Sequence, residues 1–403
     1  MGALDGIRVF DMTRILAGPT CTQLLGDLGA DIIKIEKPGE GDDTRRWGPP
    51  FLKDAAGNDA EASYFLSANR AKRSLTLDFT KPEGRELALA LIAQCDVLIE
   101  NYRVGTLARY RLDYAALKPR FPRLVYCSLT GFGQTGPYAP RPGYDYLAQA
   151  MGGLMSLQGE PEGEPMKGAV AFADLMTGMY SAVAILAALR HRDHAGEGQY
   201  IDMALLDTQI AWLGNQAQAF LTSGQAPPRL GNAHSSIVPY QVFASSDGHI
   251  VLAIGSEAQY RRFCAFAGRP DLAADPRFAN NAARVVNRAV LIPILAEIIA
   301  QRPSAEWFEG LEREGVPCCP INNLDQVFAD PQVKARNMVV TMPHPAVHGA
   351  PVALIANPIK FSATPIEYRQ APPRLGQHTE EILRGLLGME EGEIEQLRQR
   401  GVI

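Results

Sequence analysis

Short apolar runs alternate with amphipathic stretches through the first half of the chain, and the alternation predicts strands and helices in turn. Ile7-Arg8-Val9-Phe10 is rich in β-formers, Gly18-Pro19 breaks the chain, residues 21–28 carry a helical period, and Asp31-Ile32-Ile33-Lys34-Ile35-Glu36 reads as a second strand. This is a βαβ unit. Ser74-Leu75-Thr76-Leu77, a helix over 83–93 introduced by Pro82, and Asp96-Val97-Leu98-Ile99 extend the alternation. Residues 124–129 add a strand before a glycine-rich loop. The pattern predicts an α/β fold, a parallel sheet with helices on its faces, Rossmann-like in character.

The second half has a different rhythm. A helix is predicted over 174–192, then a short strand over 199–204 and a helix over 205–221, before Gln225-Ala226-Pro227-Pro228-Arg229 reads as a linker. Residues 240–243 and 249–254, separated by Ser245-Ser246-Asp247-Gly248, give a hairpin signal in which Asp-Gly supplies a positive φ. Helical patterns at 259–267, 287–300 and 304–315 complete a smaller α+β unit, with Pro293 obscuring the start of the second. Residues 336–361 look strand-rich and 380–398 helical.

Composition narrows the function classes. With 403 residues, 46% hydrophobic and 21% charged, the chain suits one large core or two moderate ones. A net charge of −5 with scattered basic residues leaves no footprint for nucleic acid. The longest apolar stretches, such as residues 182–189, fall short of the roughly 20 residues a bilayer needs, so no membrane span is expected. No basic or apolar leader precedes the first strand, which predicts a cytoplasmic protein. The six cysteines lack metal-ligand spacing and are expected to be free buried thiols, and no metal site is expected. His344 and His348 are four apart, but Pro345 and Gly349 make that segment a turn.

The first βαβ unit suggests nucleotide binding, yet its loop, Arg14-Ile15-Leu16-Ala17-Gly18-Pro19, lacks the glycine fingerprint of a dinucleotide site. Nor is there a Gly-x-Ser-x-Gly elbow, a Walker loop or a His-Glu-x-x-His. Asp174 is the carboxylate of interest. It stands near the start of a helix with an apolar stripe through Leu175, Met179, Ala182, Ile185, Leu186 and Leu189, where free N–H groups favour negative charge. An ordinary first-turn aspartate explains that placement as well as a functional one does.

Ordered motifs decide between them. Leu4-Asp5-Gly6-Ile7-Arg8-Val9, Ala17-Gly18-Pro19, residues 28–39, Asn69-Arg70-Ala71-Lys72-Arg73-Ser74, Glu100-Asn101-Tyr102, Leu129-Thr130-Gly131-Phe132-Gly133, Gly143-Tyr144-Asp145, Asp174-x-x-x-Gly178 and Leu375-Gly376-Gln377-His378-Thr379 resemble those of the class III CoA-transferases. The resemblance implies a Rossmann-like large domain built from both chain ends (1–200 and 326–403), a helical linker over 201–228, a small α+β domain over 229–325, and a homodimer interlinked like two rings. It places the catalytic aspartate on Asp174. It also implies coenzyme A contacts from Ile15, Leu16, Ala17, Lys37, Lys72, Arg73, Asn101, Tyr102, Arg109 and Tyr144. Coenzyme A and acyl-CoA enter as substrates, with no permanently bound cofactor.

In the implied chemistry Asp174 attacks a donor thioester to give a mixed anhydride, and the released thiolate converts this to an aspartyl-CoA thioester. The acceptor carboxylate attacks next, and CoA returns to form the new acyl-CoA. The run of consecutive glycines found in formyl-CoA transferase has no counterpart here. Residues 42–50, 234–241 and 316–323 look most like the succinyl-CoA:glutarate branch, with itaconate, malate and mesaconate transferases as relatives. A dicarboxylate leaves a distal charge to neutralise, for which Arg14, Arg45 and His234 are candidates. Two alternatives remain. An α-methylacyl-CoA racemase would need a histidine where Tyr144 stands, because a phenol is too weak an acid to act as an ionised base at neutral pH. A non-catalytic CoA-binding protein would have lost Asp174.

Overall fold

The computed structural model describes residues 2–347 and 350–403, so the expectation for His348 lies outside the described residues. The chain forms two compact units, the first made of Met1–Leu154, Lys167–Gly224 and Lys334–Ile403 and the second of Met155–Met166 and Gln225–Val333.

The first unit is built on six parallel strands: β1 (Arg8–Met12), β2 (Asp31–Glu36), β3 (Lys72–Thr76), β4 (Val97–Glu100), β5 (Val125–Thr130) and β6 (Tyr200–Ala204), in the order β3-β2-β1-β4-β5-β6. Successive side chains point to opposite faces, and both faces are covered, so the strand centres are apolar on both sides, as in Val97-Leu98-Ile99, while charged residues such as Asp11, Lys34 and Lys72 are buried with partners. Val9, Val97, Ile99, Val125 and Ile201 pack with Cys21, Leu25, Ala182, Ile185 and Leu189 on one side. Phe10, Leu98 and Tyr126 pack with Leu91, Ile92, Ile382, Leu383, Ile394 and Leu397 on the other. Each fully buried aliphatic side chain contributes about 1.5–3 kcal/mol. The last helices thus return the chain end to the sheet, as two elements, Thr379–Leu387 and Glu391–Gln399, parted at Gly388 in the left-handed region.

Helix α1 (Ala17–Asp27) begins earlier than the pattern predicts. Pro19 occupies its first turn, where the missing N–H has no helical partner to lose. Helix α2 (Pro82–Ile92) starts on its proline as expected. Further along lie α3 (Asp145–Met151), α4 (Phe172–Ala195) and α5 (Leu205–Ala211). Helix α4 is long and apolar enough to cross a membrane by length and composition, which the sequence reading did not expect; half of its most apolar window is buried. Its buried residues supply the sheet core, the position of a core helix. Residues 201–224, expected as linker, belong to the first unit because β6 pairs with β5 and α5 packs on α4. The strand-rich tail resolves into an antiparallel pair, Val339–Pro343 with Pro351–Ile355.

In the second unit Tyr240–Ala244 and His249–Ala253 form the expected hairpin. Gly248 is not at positive φ, however. The turn is tied instead by Asp247, whose Oδ1 accepts from the Ser304 N–H at 2.7 Å and the Ser245 hydroxyl at 3.0 Å. Helix Arg288–Ile299 runs through Pro293. All six cysteines are free, but Cys319 is exposed and Cys95 and Cys318 are half-buried rather than buried.

Candidate active site

The strand order reverses between β1 and β4, so the loops leaving their carboxyl ends diverge and open a crevice, the usual ligand position in open α/β sheets. A cleft of about 500 Å³ lies there. Arg14 to Ala17 follow β1, Asn101 to Val104 follow β4, Leu129 to Gly131 end β5, and Asp174 closes it from the first turn of α4.

Three close approaches bring Asp174 to this point. A Cβ on Gly178 would stand 2.6 Å from the Ala17 carbonyl oxygen, so α4 crosses the start of α1 at a distance only glycine permits. Asp174 and Gly178 are four residues apart and share that face. A Cβ on Gly131 would meet the Gly143 Cα at 2.3 Å, so the loop after β5 lies directly on Gly143-Tyr144-Asp145. Asp145 then caps α4 from a different element: its Oδ1 accepts from the N–H groups of Ala173 at 2.8 Å and Asp174 at 3.3 Å. Gln149 Nε2 donates to its other oxygen at 2.7 Å, and Gln149 Oε1 accepts from the Gly168 N–H at 2.9 Å.

Burial, with the Asp145 charge added, pushes the Asp174 carboxyl up to about 7. The sequence suggested that the helix start would favour the ionised form; desolvation and a second carboxylate outweigh it. Asp174 is half-buried and has no paired cation among the described residues, and a carboxyl so perturbed in a cleft is a candidate functional group.

The predicted coenzyme A residues separate into groups. Ile15, Leu16, Ala17, Asn101, Tyr102 and Tyr144 line the cleft with Asp174, as does Arg14. Lys37 lines an adjoining cleft that shares Arg14, Asp43 and Tyr102 with the first; its ammonium pairs with Glu40. Lys72 needs correction: it is fully buried beneath α1, with Nζ donating to the Pro19 carbonyl at 3.0 Å and Asn69 Oδ1 at 2.9 Å, 3.6 Å from Asp11, so no phosphate reaches it. Burial pulls that ammonium down to about 7. Arg73 forks onto Asp31 at the opposite, amino-terminal edge of the sheet and also meets Glu381. Arg109 is exposed and lines neither cleft.

Of the residues expected to hold a distal carboxylate, Arg45 is also corrected. It is buried over the Phe65 ring and bound to Glu36 at 2.7 and 2.8 Å and Glu61 at 2.9 Å, leaving no donor fork for a substrate. Arg14 remains at the cleft, 3.2 Å from Asp43. His234 belongs to the second unit, where its Nδ1 accepts from the Ser236 N–H at 3.0 Å. Sequence reasoning missed Arg103 and Arg141, which line the cleft beside Arg14; Arg141 is held 4.0 Å over the Tyr138 ring. It also gave Asp145 no role. The signal for Asp145 was present in a Gly-Tyr-Asp that opens a helix with a glutamine four residues on. Among the described residues no three His, Cys, Asp or Glu side chains cluster as metal ligands.

Comparison with known proteins identifies the chain's relatives. The chain is 47% identical to a succinate–glutarate CoA-transferase of Agrobacterium fabrum over 95% of both chains. It is 41% identical to the human succinyl-CoA:glutarate CoA-transferase, covering 99% of this chain and 90% of that one, and 38% identical to a succinyl-CoA:mesaconate CoA-transferase of Haloarcula hispanica over 95% and 96%. A CAIB/BAIF family protein from Brucella suis superposes with a TM-score of 0.84 at 48% identity, over 96% of this chain and all of that one. The profile of CoA-transferase family III matches residues 4–379, and the chain belongs to that family of CoA-transferring enzymes.

Proposed function

We propose that this enzyme moves CoA from succinyl-CoA to a dicarboxylate such as glutarate, mesaconate, malate or itaconate, with Asp174 as the nucleophile. The observation that carries the reading is the desolvated, cation-free carboxylate of Asp174 in a cleft at the switch point of the sheet. Its ionised form attacks the thioester carbonyl, the C–S bond breaks, and an aspartyl-succinyl anhydride and CoA thiolate result. The thiolate attacks the aspartyl carbonyl of the anhydride, releasing succinate and leaving CoA on Asp174 as a thioester. The acceptor carboxylate then attacks that thioester, and the freed thiolate takes the acceptor acyl group and restores Asp174. Each step exchanges bonds of comparable energy, so the scheme includes no ATP and no metal.

The large unit is Rossmann-like in this reading, with the CoA nucleotide running along the two adjoining clefts past Tyr102 and Lys37. Arg14, Arg103 and Arg141 are the cations available at the Asp174 cleft for the distal carboxylate. An interlinked homodimer would cover exposed apolar side chains of the first unit such as Tyr144, Leu147, Met179, Val183, Trp212 and Phe220. Mixing the enzyme with succinyl-CoA and no acceptor should add one CoA-sized mass to the peptide bearing Asp174, and hydroxylamine should remove it. Glutarate should discharge the adduct and acetate should do so poorly. Absence of any adduct during active turnover overturns the covalent route, and equal discharge by both acids overturns the dicarboxylate assignment.

A further inference from the structure

The cleft wall opposite Asp174 is a turn in an uncommon backbone state. Ile15 has φ 71°, and among the non-glycine residues described at positive φ (Ile15, Ala71, Arg111 and Asn337) it alone is β-branched. A β-branched residue in the left-handed region costs of order 1–3 kcal/mol and persists only where its surroundings force it. Side chains from elsewhere in the chain supply that force. Asn101 Oδ1 accepts from the Arg14 N–H at 2.9 Å, and Asn101 Nδ2 donates to the Arg14 carbonyl at 2.7 Å. Asp42 Oδ1 accepts from the Ile15 N–H at 3.2 Å, and Asp42 Oδ2 is held by the Lys34 ammonium at 2.9 Å, which also reaches the Thr13 carbonyl at 3.0 Å. A carboxamide presents an acceptor and a donor side by side to one residue's backbone, and the types of its two partners fix its orientation.

The turn leads directly into α1, whose N-cap Leu16 has no side-chain acceptor over its free N–H groups. Ala17, at the start of that helix, is the residue on which Gly178 lets α4 rest. One contact therefore sets the wall against the helix of Asp174, and the Asn101 clamp sets the other end of the same wall.

We propose that Asn101 is a positioning residue rather than a coenzyme A ligand: it holds Arg14 and the strained Ile15 so that the Ile15–Ala17 wall keeps the acyl-CoA thioester in line with Asp174. The proposal rests on the reading of Asp174 as nucleophile. Misplacing a reacting group by about 1 Å costs roughly 10²-fold in rate, and glycine adopts a positive φ without help.

The test is a double-mutant cycle on the full-length enzyme, with Asn101→Ala and Asn101→Asp each made in the native and in the Ile15→Gly background. The rate of adduct formation at saturating succinyl-CoA is followed by rapid quench and mass spectrometry, and the dissociation constant of free CoA by calorimetry. The expected result is a fall of about 10²-fold in the saturated rate for both Asn101 variants, with CoA affinity changed by less than about threefold, and a loss below about tenfold in the Ile15→Gly background. Asn101→Asp keeps the acceptor and loses the donor, so it stands in should the alanine variant fail to fold. Weakened CoA binding with an unchanged saturated rate makes Asn101 a ligand and overturns the proposal. So does an equal loss in both backgrounds, or no loss at all. If the native enzyme exchanges CoA without ever forming an adduct, the nucleophile reading has failed instead, and the same cycle on steady-state kcat then decides the clamp by itself.

Discussion

Two groups of desolvated carboxylates in the first unit, one fully buried and one half-buried, meet opposite fates. Beneath the ends of β1 to β3, burial pushes Asp42 and Glu36 towards the neutral acid, but Lys34 brings Asp42 down to about 2 and Arg45 holds Glu36 below its ordinary value. Around α4, burial pushes Asp174 in the same direction and no cation among the described residues answers it; the Asp145 charge pushes it further. The first group is locked, since each carboxylate is paired with a cation and also accepts from further N–H and hydroxyl groups, Asp42 from Ile15 and Thr44 and Glu36 from the Asp42 N–H and Ser74. The second is left poised. The contrast is that desolvation is answered by a cation in the first group and left unanswered in the second.

The largest effect expected from breaking this contrast is at Asp174 itself. On the proposed nucleophile reading, Asp174→Ala should lower exchange by on the order of 10⁴-fold or more while free CoA binds within a few fold of the native affinity, because in that reading the carboxylate makes the bond and the clefts hold the nucleotide. An exchange assay alongside calorimetry checks both halves. Substantial turnover in a clean preparation of that variant would end the nucleophile reading.

The locked group should fail in stability instead. Arg45→Met strands Glu36 and Glu61 without a cation, and removing one partner of a buried pair typically costs about 3–5 kcal/mol. Thermal melts should show a clear fall in Tm, while the preference for glutarate over acetate in the folded fraction stays as it was. A selective loss of dicarboxylate use with an unchanged Tm would restore Arg45 to the substrate.

The same contrast explains what the sequence disclosed. The six strands were legible because a sheet covered on both faces demands strands dense in apolar residues, as in Val97-Leu98-Ile99 and in Ile32, Ile33 and Ile35, although Lys34, between the last two, is charged and paired with Asp42. The start of α1 was misplaced because Gly18-Pro19 looks like a break from composition, whereas a first-turn proline costs a helix nothing. Asp174 was singled out by the family resemblance, whose motif pairs it with Gly178; its place in the first turn of a helix did not by itself separate a functional from an ordinary aspartate. Lys72 and Arg45 were misassigned because charge reveals nothing about burial: a lysine under a helix and a lysine on a phosphate groove are spelled alike. Asp145 reaches α4 from 29 residues upstream, and no local period records such a contact.

A smaller effect separates the two groups by pH. Asp174 must be ionised to attack, so its adduct rate should climb about tenfold between about pH 6 and about pH 8 and flatten above. Stability runs the opposite way. The folded state binds the Asp174 proton more tightly than the unfolded chain, so this group's contribution is present below about pH 4 and is lost as pH rises through about 7. Asp174→Asn has no such proton, and its Tm advantage over the native enzyme should widen across that window and then level off. A difference independent of pH would place the Asp174 carboxyl in an ordinary, solvated state.

The finest test concerns Asp145, whose two roles at α4 can be pulled apart. In Asp145→Asn the side chain still presents an oxygen to the N–H groups of Ala173 and Asp174, since asparagine caps helices as well as aspartate does, but the negative charge is gone. The repulsion that helps raise Asp174 is thereby removed, so the acid limb of the adduct-rate profile should move down by a fraction of a pH unit. It should not return to the ordinary carboxylate range, because burial is the larger cause and remains. The plateau above neutral pH should drop slightly, as a less basic carboxylate is a weaker nucleophile. Asp145→Ala loses the cap as well, and its Tm should fall by the equivalent of about 1 kcal/mol where the asparagine variant holds. A limb that stays in place in Asp145→Asn would mean that burial by itself sets Asp174, and that Asp145 serves only to hold the end of the helix.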